Sequence, residues 1–471
     1  MDRALKLAAA LALLAVAAPA HGALGPKHGG TITLPAPEPV TSLDPARAET
    51  SFEATLTEAL FDRLYEVRED GTVEAVLAAG PPEIEESVAR IRLRRGALHH
   101  GTRPIRARHV VRSLQRTSSS PLASWLLGAF ATENGRPAIR EVDEHTIEIG
   151  LARRGLRVDI VLAAAPLAIV VGGNVRGRPL GTGPFRGRLD GRGGVEMRIF
   201  RRAPDRPPWV NRVRFTPPRP REEEVRAFEL GRLDGSWWSR SLYGGQPVRP
   251  VETATGTAAA PVLLVPNRAR ALRDDDAWGG VAGAIDRRRL ERVGLVARRS
   301  LGPGLPSPSV PRGRAPRGAR LRMLVREDRP FERRIAEALA GMLDERGVTL
   351  QVERLSADRL DAVVARGDWD LRLAMVRPPL PGRGPLVGAA LAAAGQTDRA
   401  RTLATQLGDA SVAAEAARQL DVLVLGHERL LLHHRADLRG FGFDGQGRLT
   451  LADASFARAP VAAPAGSGEA P

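Results

Sequence analysis

An α/β fold is predicted for this chain, and three observations predict it. Between Leu321 and Val376 the apolar spacing alternates between the period of a strand and that of a helix, in the order strand, helix, strand, helix, strand. The 471 residues exceed one ordinary hydrophobic core, and 43% of them are apolar, which calls for two or three domains. There is no cysteine, so burial rather than cross-linking must hold those domains together.

The elements read in order. Arg3 and Lys6 precede an apolar run from Leu7 to Ala18, followed by Ala18-Pro19-Ala20, which fits a cleavage site. Residues 1–22 are therefore expected to be a signal peptide, and the mature protein a soluble periplasmic one. GGTITLPA should be a strand, and PEPVTSLDPA a turn forced by its prolines and Asp44. Ser51–Tyr65 predicts a helix with Phe52, Leu56, Leu60, Phe61 and Leu64 in the core. VARIRLRRG, HTIEIGLA and VEMRIF alternate as half-buried strands.

Arg298–Arg320, rich in proline and glycine, is expected to be an irregular surface connection, and APVAAPAGSGEAP a disordered tail. Between them, LRMLV, GVTLQVERL and WDLRLAMV predict strands. The intervening helices are Phe331–Arg346, with Ile335, Leu339, Met342 and Leu343 inward, and Ala357–Arg366, with Leu360 and Val364 inward. Such crossovers imply a parallel sheet, whose ligand crevice lies beyond the carboxyl ends of the strands. VRPPLPGRG, which starts at Val376, is thus a candidate wall of a site.

Several chemistries are excluded. The net charge of +16 is carried mostly by arginine, but the arginines are scattered and interleaved with 54 acids; with only 4% aromatic residues, nucleic-acid binding is not expected. His99 and His100 are adjacent on a predicted strand end and would point to opposite faces, and no helical partner completes a metal set with His109. There is no G-x-S-x-G elbow, no thiol and no H-E-x-x-H helix, so no catalytic residue, metal or cofactor is expected. PLGTGPF lacks the Lys-Ser/Thr of a P-loop; it reads as a tight turn whose glycines permit unusual backbone angles.

Taken in order, GGTITL, SLDPA, EALFDRLYEVREDGTVEAVLA, IRLRRGALHHGTRPIRARHVVRSLQR, VDEHTIEIGL, PLGTGPF, ELGRLDG and GAIDRRRL resemble the solute-binding proteins of peptide-type ABC importers. This is solute-binding protein family 5, with oligopeptide-, dipeptide- and nickel-binding members. The resemblance implies a two-lobe Venus-flytrap fold of the periplasmic-binding-protein type, with an extra small α+β domain inserted. Domain I would comprise residues 23–50, 176–258 and 437–458, domain II residues 51–175, domain III residues 259–436, and the tail 459–471.

The implied function is non-enzymatic capture of a peptide or other small solute, and its delivery, by a monomer, to an ABC permease/ATPase complex in the inner membrane. A non-transporting sensor or scaffold of the same fold is the alternative.

The ligand residues implied are Val40, Thr41 and Ser42, whose family counterparts pair with extended peptides through backbone groups. Trp237, Trp238 and Tyr243 are the aromatic candidates for a cleft wall. Of the family's Gly-Trp pair and following Asp, which receives a peptide ammonium, the Trp corresponds here to Val376 and the Asp to a proline near Pro379. Arg377 in that loop would instead favour an acidic group. Trp278 stands where the family has an arginine.

Overall fold

Thr31–Pro35 (β1) is buried at Ile32 and Leu34, the outcome that alternating apolar residues dictate. In the computed structural model, which describes residues 27–68, 70–201, 207–242, 244–256, 260–296, 305 and 313–457, the chain next turns at Asp44 and enters the helix Ser51–Leu60 (α1). A capping box starts this helix: the Thr50 hydroxyl accepts from the Glu53 N–H at 3.1 Å, and the Glu53 carboxylate accepts from the Thr50 N–H at 3.2 Å.

The helix ends at Leu60, five residues before the sequence reading placed its end. The Gly183 N–H takes the Leu60 carbonyl at 3.1 Å, and Phe61 turns extended. All five apolar residues assigned to this stretch are nonetheless buried.

The inserted part carries Glu83–Glu85 (β2), Val88–Arg92 (β3), the helix Ala107–Arg116 (α2), Ile139–Asp143 (β4) and Thr146–Gly150 (β5). They form an antiparallel sheet in the order β2-β3-β5-β4. The chain then returns to β1 with Phe185–Leu189 (β6), Val195–Ile199 (β7) and Arg212–Thr216 (β8), in the order β1-β8-β7-β6. This sheet and α1 share one core, in which Phe52 meets Phe215 edge to face at 5.0 Å between ring centroids.

PLGTGPF joins the two parts, but for another reason than backbone angle. Neither Gly181 nor Gly183 has positive φ. A side chain at Gly181 would place its Cβ 2.1 Å from the Leu60 carbonyl oxygen, so glycine is needed for close approach to the end of α1.

The second large sheet has six strands. Pro261–Pro266 (β9) and Leu295–Val296 (β10) precede Arg320–Arg326 (β11), the helix Pro330–Asp344 (α3), Thr349–Leu355 (β12), the helix Ala357–Arg366 (α4) and Leu371–Met375 (β13). Arg383–Ala393 (α5), Thr397–Ala404 (α6) and Ala410–Arg418 (α7) lead to Leu423–Glu428 (β14). The order is β10-β14-β9-β13-β11-β12.

The three strands expected to be parallel are so, while β9 pairs antiparallel with β13 and β14, which makes the sheet mixed. Met323 and Val325 pack on Ile335 and Leu339 of α3; Leu324 and Ala374 share a core with Leu386 and Val387 of α5. In α4 the buried residue is Val363, while Leu360 and Val364, expected inward, are only half-buried.

The chain enters this lobe after Val251–Thr255 and leaves it into Leu431–Arg435. These two strands pair antiparallel, so the two crossings lie side by side as a double hinge. Most of Arg298–Arg320, the first 26 residues and the tail lie outside the described residues. Among the described residues no helix is long and apolar enough to cross a membrane.

Candidate functional site

An interior of about 580 Å³ lies between the lobes. One wall is the turn Thr41–Glu49 with Glu53 and Thr57 of α1. The other is built at the carboxyl ends of the parallel strands: Arg326 at the end of β11 with Glu327 and Asp328 beyond it, Ser356, Asp358 and Asp361 after β12, and Arg372–Met375 on β13. This is where a parallel sheet opens a crevice, because the connections leave it in opposite directions. Leu360 and Val364 pack on the edge of the core and also line the interior, which is why they are only half-buried.

Charge dominates the walls. Arg326 of one lobe meets Glu49 of the other at 3.0 Å and holds Asp328 bidentately at 2.9 and 2.8 Å. Asp328 in turn accepts from the Thr41 hydroxyl at 3.0 Å. At the opposite rim, Arg47 reaches Asp358 at 2.9 Å and Asp361 at 3.4 Å, and Arg176 also pairs with Asp358.

Behind this wall Arg329, only 1% exposed, stands among Glu53 at 2.9 Å, Glu49 at 3.6 Å, Glu332 at 3.7 Å and Glu38 at 3.8 Å. Burial pushes Glu38 up to about 8 and Glu332 up to about 7 although Arg329 pulls both down. Burial alone would raise Glu53 as well, but Arg329 and Arg326 hold it below its ordinary value.

A pH dependence follows. A carboxyl whose folded-state pKa is raised binds its proton more tightly when folded, so its stabilisation is complete near pH 4 and is lost as pH rises through the folded value. His100 works in the opposite sense, because burial lowers it to about 4, but that effect ends near the ordinary histidine value of about 6.5. Above that pH, Glu38 and Glu332 set the sign together with Glu224, which burial raises to about 7. The melting temperature is expected to fall between pH 6.5 and 8.5, with a shallower slope in Glu38→Gln; an identical slope in both proteins would remove Glu38 as the cause.

The residues singled out from sequence divide. Thr41 and Ser42 line the interior. Val40 is turned into the core of its lobe, and its N–H is spent on the Gly193 carbonyl at 3.0 Å. Trp237 packs beside Phe443 and donates its indole N–H to the Pro35 carbonyl at 2.9 Å; Trp238 is exposed, with the Arg334 guanidinium 5.5 Å from its ring centroid. Neither lines the interior. Tyr243 lies outside the described residues. Val376 and Arg377 line a separate void of about 30 Å³ beside it, near Trp125 and Pro379. Trp278 is fully buried against the six-stranded sheet.

His99, His100 and His109 hold local backbone. His100 braces PLGTGPF, with Nε2 at 3.1 Å from the Gly183 carbonyl and Nδ1 accepting from the Gly181 N–H at 3.2 Å. His99 Nδ1 accepts from the Gly101 N–H, and His109 Nδ1 from the Arg106 N–H.

Sequence reading missed Arg326, Asp328, Arg329, Asp358, Asp361 and Arg372. For Arg372 a signal existed: a strand at the centre of a sheet covered on both faces has little use for a guanidinium unless it faces a cavity. For the others, which pair across the lobes, no local pattern exists.

No protein-family model matches this chain, and no curated protein sequence does. Solved structures do. The Escherichia coli murein tripeptide binding protein MppA matches with a TM-score of 0.69 at 16% identity, covering 93% of this chain and 100% of its own. NikA from Staphylococcus aureus, in complex with Ni(L-His)2, matches with a TM-score of 0.68 at 13% identity, covering 91% and 100%. The Haemophilus influenzae OppA complex with RPPGFSPFR matches with a TM-score of 0.69 at 13% identity, covering 92% and 100%. The chain therefore has the two-lobe fold of the peptide- and nickel-binding solute-binding proteins, as its sequence resemblance implied.

Proposed function

We propose that this chain is the periplasmic solute-binding component of a peptide-type ABC importer, capturing a small solute between its lobes and presenting it to the membrane permease. The carrying observation is the interior of about 580 Å³ between two lobes joined by a double hinge, of a size suited to a small molecule. The fold shared with MppA, NikA and OppA supports the reading. The domain boundaries and the signal peptide read from the sequence belong to the same proposal.

The alternative, a non-transporting sensor or scaffold, draws on the ion pairs that tie the lobes together across the interior. Isothermal titration against small-solute and peptide pools, paired with small-angle scattering, separates the two. Saturable heat with a decrease in radius of gyration is expected for capture. A constant radius and no heat with any pool would leave only the scaffold.

A further inference from the structure

Of the four guanidiniums that line the interior among the described residues, three are spent. Arg326 holds Glu49 and Asp328, Arg47 holds Asp358 and Asp361, and Arg176 holds Asp358. Arg372 is the exception. It projects from β13, is 8% exposed and lines the interior, yet among the described residues its side chain has no hydrogen-bond partner and no ion pair.

Its guanidinium carbon lies over the ring of Trp369, 5.6 Å from the ring centroid. That cation–π contact steadies the side chain without occupying its N–H groups. Trp369 is itself pinned, because it is buried and its indole N–H reaches the Val364 carbonyl at 3.3 Å. A buried guanidinium without a partner is costly, and the cost falls when an anion arrives that its fork can hold.

The surrounding charge narrows the anion. Carboxylates outnumber guanidiniums two to one among the lining residues. Glu49, Asp361 and Glu332 all act on Arg372 electrostatically without reaching it as ion pairs. A dianion such as a phosphate ester would meet these carboxylates with twice the repulsion of one carboxylate. Glu327, exposed on the same wall, has a carboxylate with no partner among the described residues, so a positive group on the solute has a favourable place to face.

Resting on the solute-capture reading, we propose that Arg372 is the specificity-determining anchor of the interior, and that it takes the carboxylate of a small solute of zero or positive net charge. The anchor point is thus a cation on β13 for the acidic end of the solute, in place of a carboxylate in the following loop for its basic end.

The test is titration of the full mature chain with four pools: dipeptides, the same dipeptides amidated at the carboxyl end, small phosphate esters, and C4–C6 dicarboxylates. The free-acid dipeptides are expected to bind, with their amides weaker by about 30-fold, the scale of a lost charge-assisted hydrogen-bonded pair. Arg372→Met should erase that preference, and Arg372→Lys should keep part of it, since the charge remains and the fork is lost. Far-ultraviolet circular dichroism of both variants reports their folding, and Arg372→Lys keeps the charge if Arg372→Met fails to fold.

Equal affinity for acids and amides, or undiminished preference in Arg372→Met, overturns the anchor while leaving solute capture standing. Tighter binding of phosphate esters or dicarboxylates overturns the charge assignment. No binding in any pool sinks both the anchor and the capture on which it rests.

Discussion

Replacing Arg329 by methionine is expected to cost about 3–5 kcal/mol of stability at neutral pH, the scale of breaking a buried charge cluster by removing one partner. Arg329 is 1% exposed and serves Glu38, Glu49, Glu53 and Glu332, which come from both sides of the cleft. Without it these carboxylates repel in a dry site. Burial already raises Glu38 and Glu332, and without Arg329 these two and Glu53 hold their protons more tightly when folded than when unfolded. The variant must therefore recover stability as pH falls from 7 towards 5. Urea unfolding at the two pH values measures this. A loss that is equal at both would mean that packing around the side chain, and not its charge, is what Arg329 supplies. Adding Glu53→Gln to the variant should restore part of the loss, since the two groups are in direct contact.

Trp125→Ala is expected to cost about 3–5 kcal/mol, the range for truncating a large buried aromatic side chain. The indole is 1% exposed and its six-membered ring comes close to the backbone of α5: a Cβ at Gly388 would fall 2.4 Å from the ring. Trp125 belongs to the inserted part and α5 covers the six-stranded sheet, so this contact is a seam between the lobes. One core of buried side chains runs through it, from Ile147 and Ile149 to Leu386 and Leu391. A lowered denaturation midpoint with an unchanged slope is expected. A midpoint within about 0.5 kcal/mol of the parent, the scale of a neutral surface change, would mean that the seam closes over the gap.

Much of the architecture was legible because its causes are local. Periodicity located β11, α3, β12, α4 and β13 to within about two residues at most boundaries, since each must hide one face whatever its neighbours are. The crossover rule then gave three parallel strands and the end of the sheet at which an interior would open. The site was less legible. VRPPLPGRG follows β13, and its Val376 and Arg377 border the small void beside the interior; the large interior is walled by the turns after β11 and β12. The aromatic residues Trp237 and Trp238 were chosen by type, but one packs next to Phe443 and the other lies under Arg334, because tertiary neighbours compete for them.

The order of strands and helices and the parallel core of one sheet were readable from the spacing of apolar residues along the chain, and the two-lobe class was implied by the resemblance that its run of motifs carries. Which charges meet depends on how distant segments fold together. Arg329 and Glu38 are 291 positions apart, and Arg326 and Glu49 are 277. Whether a guanidinium is partnered depends on what lies within about 4 Å in space, a distance that no local pattern encodes. So it is with Arg372: its neighbours in sequence identify a buried strand, but only the fold leaves its N–H groups facing an interior without a partner.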